Sequence, residues 1–241
     1  MENTKSTLFV VPTPIGNLED ITLRAIRILQ EVDTVVCEDT RQTVKLLSHL
    51  KISKPLISFY TQNQLKRIPQ IISLLQQGKN IALVSDCGTP AISDPGYYLI
   101  KEALNNNINV VPLPGACALI TALVGSGLAT DSFVFLGFLK KKTGKMKKEL
   151  ELAKQVEKTI VFYESPHRIL KTVEICSEVF GENTNIVLAR ELTKKFEEFI
   201  RGTIKEVSEN LQNRQILGEF IVLIEPSGKK SENIISDDDE I

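Results

Sequence analysis

The feature that most constrains the fold is residues 85–96, S-D-C-G-T-P-A-I-S-D-P-G, held between an apolar β-type run at 81–84 and a helical spacing at Tyr97, Ile100 and Leu104. Prolines, glycines, serines and aspartates at this density make neither helix nor sheet interior. They make a fixed loop at the carboxyl end of a strand, where open α/β sheets bind their ligands. Pro90 and Pro95 stiffen it, while Gly88 and Gly96 admit close backbone approach or a positive φ. A plain strand-to-helix turn needs only a few residues, so this long, rigid segment reads as a ligand loop.

The same strand–loop–helix unit repeats through the first half. A β run at 8–11 stops at P-T-P-I-G, and Asp20 is placed to cap a helix whose Ile21, Ala25, Ile28, Leu29 and Val32 share one face. A strand at 34–37 ends in Glu38-Asp39-Thr40-Arg41 and feeds a helix carrying Leu46, Leu47 and Leu50. A third strand is expected at 56–59, then a helix with Ile68, Ile71, Ile72 and Leu75 that closes at Gly78. A strand at 110–113 leads through Pro114-Gly115 into a small-residue helix at 116–123. Such alternation implies a largely parallel sheet covered on both faces.

The character changes near Gly125–Gly127 and Thr130, a plausible linker. The expected organisation is an N-terminal α/β domain at 1–125, a C-terminal α/β domain at 126–226 and a disordered acidic tail at 227–241. In the second domain β-type runs fall at 133–138, 159–163, 186–188 and 220–224, with helices in the gaps. Ile169, Val173, Cys176 and Phe180 make one apolar stripe, ended by Gly181.

Composition removes several classes. Net charge is −1, so any nucleic-acid surface is local rather than global. No apolar run is long enough to span a bilayer and residues 1–6 make no signal peptide, which implies a cytoplasmic chain. Cys37, Cys87, Cys117 and Cys176 are far apart and form no C-x-x-C pair, so reduced thiols are expected rather than zinc ligands or disulfides. With His49 and His167 the only histidines, no metal site is expected, and His167 beside Pro166 reads as structural.

Four loops leave from strand ends in the first domain: residues 12–16, 38–41, 85–96 and 114–118. None is a phosphate cradle, since neither G-x-x-x-x-G-K-[ST] nor a G-x-G-x-x-G after the first strand is present. A nucleoside-like ligand without a polyphosphate fits better than ATP or NAD.

T-P-I-G-N-L-E-D at Thr13, C-E-D-T-R at Cys37, the central loop, P-L-P-G-A at Pro112, F-Y-E-S-P-H-R at Phe162 and A-R-E-L-T-K at Ala189 occur in that order. Together, from about Leu8 to Glu225, they resemble the ribosomal RNA small subunit methyltransferase I family of the tetrapyrrole methylase superfamily. The resemblance implies two α/β domains of the tetrapyrrole methylase type, with a mainly parallel sheet in the first, a mixed sheet in the second, and S-adenosylmethionine folded in the cleft between them. It implies 2′-O-methylation of a cytidine ribose in the decoding region of small-subunit ribosomal RNA, within the assembled subunit, by a homodimer without membrane attachment. The chain departs from the family at Tyr60 and Gln62, which stand where two histidines are usual, leaving Asn63. Lys140 replaces a proline, Met146 a basic residue, and Cys87 and Cys117 an alanine and a serine. The sequence ends before the small helical C-terminal module of many relatives, so RNA capture is expected to rest on the two domains or a partner.

By position in those motifs, Thr89, Ile92, Cys117, Ala118, Glu164 and Ala189 are the implied cofactor contacts, with Asp86 and Gly88 shaping the loop. Glu38, Asp39 and Arg41 at one strand end, and Arg190 and Glu191 at another, are the candidate catalytic residues. A ribose hydroxyl is a poor nucleophile, and a base such as Asp39 would take its proton while Arg41 holds a phosphate. The plainer alternatives are that Asp39 and Arg41 brace the loop as a salt bridge and that Arg190 and Glu191 are a surface pair. Lys140, Lys141, Lys142, Lys145, Lys147 and Lys148 form either a solvated loop or an RNA-phosphate site. A porphyrinoid methyltransferase and a non-catalytic ribosome-associated module remain as rival functions.

Overall fold

The computed structural model describes residues 6–212 and 214–225; the expected acidic tail lies outside the described residues. The chain divides into two compact units between Ala118 and Leu119, within the helix expected at 116–123 and seven residues before the expected boundary at 125/126.

The first unit is a parallel sheet of β1 (Thr7–Val10), β2 (Thr34–Cys37), β3 (Leu56–Ser58), β4 (Ile81–Leu83) and β5 (Asn109–Pro112), in the order β3-β2-β4-β1-β5. Strand side chains alternate between faces, so each short apolar run splits between two cores. Leu8, Val36, Ile81 and Leu83 face α3 (Gln64–Gln76) and α4 (Tyr97–Asn105). Val35, Cys37, Ala82 and Val84 face α1 (Leu23–Glu31) and α2 (Thr40–His49). Burial on both faces is why these strands are apolar throughout rather than alternating.

The connection from β4 therefore leaves toward the α4 face, while those from its neighbours β1 and β2 leave toward the α1 and α2 face. Adjacent strands whose loops depart to opposite faces leave a crevice at their carboxyl ends. The central loop stands in that crevice, with the β1 loop on one side and the β2 loop on the other.

The second unit takes α5 (Ala118–Ser126) from Leu119 onward and holds β6 (Phe133–Phe138), α6 (Thr143–Lys154), β7 (Thr159–Glu164), α7 (Ile169–Phe180), β8 (Asn185–Arg190), β9 (Glu198–Thr203), α8 (Ile204–Gln212) and β10 (Phe220–Ile224). Its sheet runs β6-β7-β10-β8-β9, with β6 and β7 parallel and the other pairs antiparallel. The parallel first sheet and mixed second sheet agree with the expected fold class. Phe162, Leu188, Ile200 and Val222 pack on one side against Leu150, Val173, Cys176 and Val207 from α6, α7 and α8. α8 starts at a capping box in which Thr203 Oγ1 accepts from Glu206 N (3.2 Å) and Glu206 Oε2 accepts from Thr203 N (2.8 Å). No helix among the described residues is long and apolar enough to cross a membrane.

Several local expectations are corrected. The cap of α1 is Thr22, whose hydroxyl accepts from Ala25 N, whereas Asp20 closes a short 3-10 turn. α4 buries Leu99 and Ala103, leaving Tyr97 and Leu104 each 57% exposed, so the sequence spacing had marked the wrong face. β9 was not anticipated. The lysine run is not one loop: Lys145, Lys147 and Lys148 lie on α6, and Met146 beneath them is buried with Leu150 and Ala153.

Two glycines in the structure predict opposite responses to alanine. A Cβ on Gly115 would lie 2.7 Å from Pro12 Cβ, whereas one on Gly144 in α6 meets nothing within 4 Å. Gly115→Ala is expected to destabilise by about 1–3 kcal/mol through overpacking. Gly144→Ala is expected to stabilise by up to about 1 kcal/mol through helix propensity. Chemical denaturation of both variants checks this, and equal shifts would contradict the close Pro12 contact.

Candidate active site

The central loop is tied down at its start. Thr13 N donates to Gly88 O and Gly88 N to Thr13 O, both at 2.9 Å, an antiparallel bridge between the β1 and β4 loops. Thr13 Oγ1 donates to Ser85 O (3.0 Å), and Ser85 Oγ donates to Gly88 O (3.0 Å). Gly88 takes φ +81°, a conformation that disfavours a side chain, and a Cβ there would also press on Ile15 Cγ2 at 3.3 Å. Thr89 Oγ1 donates to Ala116 O (3.0 Å), joining the loop to the segment that precedes α5. Ala91 and Ser93 adopt φ +70° and +63°, a strained backbone for residues with side chains. Ile92 between them is 40% exposed, and Cys117 and Ala118 are half-buried.

On the other side the loop joins β2, because Asp86 Oδ1 accepts from Asp39 N at 3.0 Å. Glu38, Asp39, Thr40, Arg41, Ser58, Tyr60 and Asp86 line a cleft of about 430 Å³. Four predicted site residues, Glu38, Asp39, Arg41 and Asp86, are thus brought together. Asp39 caps α2, accepting from Arg41 N (2.8 Å), and forms a two-point ion pair with the Arg41 guanidinium (2.6 Å at Oδ2). The Arg41 hydrogen bonds hold the Asp39 carboxyl down at about 2, which leaves it a very weak base. Glu38 is the opposite case. Burial, then the negative charges of Asp86 and Asp39, push its carboxyl up, and no hydrogen bond engages it among the described residues. Asp86 is also pushed up, first by burial, against the hydrogen bond from Asp39 N.

The sequence reading missed Asp94, although it lies within the central loop. Burial first, then the charges of Glu38 and Asp86, push it up to about 7, opposed by the Ser85 hydroxyl. The sequence places two aspartates in this loop but carries no sign of which one faces other carboxylates.

In the second unit the predicted residues are closed off by their own partners. Arg190 pairs with Glu198 (3.2 Å), and Glu198 also pairs with Arg214. Glu191 accepts from Lys194 Nζ (2.9 Å) and Glu219 N (3.1 Å); burial raises its carboxyl, but these partners outweigh it and the net shift is downward. Arg190 and Glu191 therefore do not pair with each other, as the plainer alternative had it. Glu164 has a fully buried carboxylate bonded by Ser165 N (2.7 Å), Thr172 Oγ1 (2.8 Å) and Arg168 (3.3 Å). Ala189 is fully buried within β8. Lys147 pairs with Glu178 (3.1 Å), while Lys140, Lys141, Lys142, Lys145 and Lys148 are exposed. Among the described residues, no group of three potential ligands is placed to hold a metal ion.

Asp94 makes stability depend on pH in a definite direction. Its folded value of about 7 lies above 3.8, so the folded protein keeps the proton longer than the unfolded chain. Its contribution is fully present below about pH 4 and is lost as pH rises to about 7. Asp94→Asn should melt above wild type at pH 8, with the difference shrinking toward pH 5. A difference that does not vary with pH would contradict the assigned environment.

Comparison with known proteins agrees with this architecture. The family described as tetrapyrrole (corrin/porphyrin) methylases matches residues 7–208. A ribosomal RNA small subunit methyltransferase I of Halalkalibacterium halodurans is 47% identical over 228 residues, covering 95% of this chain and 78% of that protein. Its namesake from Bacillus subtilis is 49% identical over 223 residues, covering 92% of this chain and 76% of that one. Among solved structures, the uroporphyrin-III C-methyl transferase of Thermus thermophilus complexed with S-adenyl homocysteine shares the fold at TM-score 0.63 and 17% identity, covering 90% of this chain and 96% of that chain. The chain belongs to the tetrapyrrole methylase family and, within it, to the ribosomal RNA small subunit methyltransferase I branch.

Proposed function

We propose that the protein methylates the 2′-hydroxyl of a cytidine ribose in the decoding region of small-subunit ribosomal RNA, using S-adenosylmethionine. The observation that carries this reading is the identity of 47–49%, over most of the chain, to proteins named for methylation of that RNA. The solved neighbour bound to the demethylated cofactor supports the choice of methyl donor. The protein acts as a cytoplasmic homodimer on RNA in the assembled subunit.

The residues present fit the donor. Gly88 leaves open backbone where a Cβ would press on Ile15, and the Thr89–Ala116 bond fixes the loop beside Cys117 and Ala118. Asp86, Gly88, Thr89, Ile92, Cys117 and Ala118 would hold it from the first unit. Glu164 and Ala189, the other contacts that the resemblance implies, are otherwise engaged: the Glu164 carboxylate is committed to Ser165, Thr172 and Arg168, and Ala189 is fully buried between β10 and β9. When bound, S-adenosylmethionine supplies a methyl group already activated for in-line displacement.

The chain must position the ribose and remove its proton. Glu38 suits the proton better than Asp39, because its carboxyl is raised and has no hydrogen-bond donor among the described residues. Asp39 instead holds the Arg41 guanidinium, whose side chain is 85% exposed and available for a phosphate in two-point contact. The exposed lysines at 140–148 draw the RNA backbone by releasing counterions. Arg190 and Glu191 organise the end of β8 through Glu198 and Lys194.

Single-turnover transfer of labelled methyl from S-adenosylmethionine tests this reading, offering unmethylated small subunits and a uroporphyrin-type tetrapyrrole side by side. Label is expected in RNA alone; label in the tetrapyrrole would establish the rival activity, and binding without transfer to either would favour a non-catalytic module. Glu38→Gln should slow transfer by roughly two to four orders of magnitude while cofactor affinity and melting temperature persist. Asp39→Asn should lower melting temperature and weaken RNA binding, with a smaller loss of rate at saturation. A normal rate in Glu38→Gln with an inactive, stable Asp39→Asn would return the base to Asp39.

A further inference from the structure

We propose that Phe138, with the lysines that follow it, forms a stacking platform for an unpaired nucleobase, so that the second unit grips a single-stranded RNA segment. This deepens, and rests on, the reading of the protein as an RNA methyltransferase.

β6 is an edge strand of its sheet. Its register against β7 runs Phe133–Thr159, Val134–Ile160 and Phe135–Val161, then shifts so that Phe138 opposes Tyr163. Gly137 takes φ +65° at that irregularity, as in bulges that re-aim a side chain at a sheet edge. Phe135 packs edge-on against Tyr163 with ring centroids 5.0 Å apart. The re-aimed Phe138 lies against the same ring at 5.4 Å, yet remains 56% exposed. More than half of a large apolar ring is thus held in solvent beside a second aromatic ring.

The mount is rigid. Leu139 directly after the ring is buried, and Arg168 donates to the carbonyls of Leu139 (3.2 Å) and Lys140 (3.4 Å). Lys140 N donates to Glu149 Oε2 at 3.2 Å, which fastens the same segment to α6. Lys140, Lys141, Lys142 and Lys145 are exposed within seven residues of Phe138 in the chain. Of the lysine run, only Lys147 is in an ion pair among the described residues. The first turn of α6, which begins five residues after Phe138, has no side-chain cap and so presents the positive end of a helix.

An exposed aromatic face beside unpaired cations suits a chain that is anionic along its backbone and flat at its bases. Single-stranded nucleic acid has both properties. A duplex does not offer its base faces, because they stack on one another. The charge beside the ring disfavours a second copy of this chain, which would bring its own lysines to the contact.

The protein has no tryptophan, so Phe138→Trp places a single fluorescent reporter on the platform. Titration with a short single-stranded oligoribonucleotide should quench that emission, and the same sequence in a duplex should not. Phe138→Ala should weaken single-strand binding about ten-fold, within the range measured for loss of one stacked base. Its salt dependence should match wild type, whereas Lys141→Ala combined with Lys142→Ala should flatten it. Unchanged affinity in Phe138→Ala, while wild type still binds and methylates RNA, overturns the platform and leaves the methyltransferase reading intact. A fall in oligomer mass with RNA affinity intact would make the ring a contact between copies and also overturn it. Failure of the wild-type protein to bind or methylate any RNA would overturn both readings together. If Phe138→Ala fails to fold, absence of quenching in folded Phe138→Trp decides against the platform.

Discussion

The site depends on the reciprocal hydrogen bonds between Thr13 and Gly88. They clamp the loop after β4 to the loop after β1 at 2.9 Å in both directions, across the crevice that the strand order opens. With the loop so fixed, Ser85 is buried beneath it, Thr89 reaches Ala116, and Ala91 and Ser93 are held at positive φ. Each strained residue costs on the order of 1–3 kcal/mol. At the far end of the loop Gly96 takes φ +146°, where a Cβ would lie 3.1 Å from Leu83 Cδ2 and 3.2 Å from Ala91 Cβ. The loop is therefore pre-formed, which reduces the ordering cost of binding a ligand.

The second organising effect is electrostatic. Four carboxylates, Glu38, Asp39, Asp86 and Asp94, gather at the ends of β2 and β4, and the protein gives them different tasks by giving them different partners. Asp39 alone receives a guanidinium and stays ionised. Asp86 accepts one backbone N–H, and Asp94 is half-buried facing its neighbours' charge. Glu38 is left raised at the cleft wall, without a donor among the described residues. Carboxylates whose environments pull their proton affinities apart are the usual basis for separate acid–base and binding roles.

Much of this was legible in the sequence because strands buried on both faces are continuous apolar runs, and 34–37 and 220–224 match their strands to the residue, as does the apolar edge strand at 133–138. The central loop was legible from its Pro and Gly content. Errors arose where two patterns competed. In α4 the stripe Tyr97, Ile100, Leu104 and the stripe Leu99, Ala103 are both apolar, and packing against the sheet chose the second. Asp20 and Thr22 are both capping residue types two positions apart, and the 3-10 turn decided between them. β9 was missed because E-F-I-R-G-T mixes charges and a glycine into an edge strand. The lysine run hid a helix whose sign was present, since Met146, Leu150 and Ala153 share one face. Pairings across distant sequence, such as Arg190 with Glu198 or Asp86 with the Asp39 N–H, have no local signature at all.

The central claim is that this chain methylates a ribose of small-subunit ribosomal RNA. The most direct test maps ribose methylation on ribosomes from cells with and without the gene, and from cells carrying it with Glu38→Gln. The account predicts that one 2′-O-methylated cytidine in the decoding region disappears without the gene, returns with the intact gene and stays absent with the variant. Identical methylation maps in all three would contradict it.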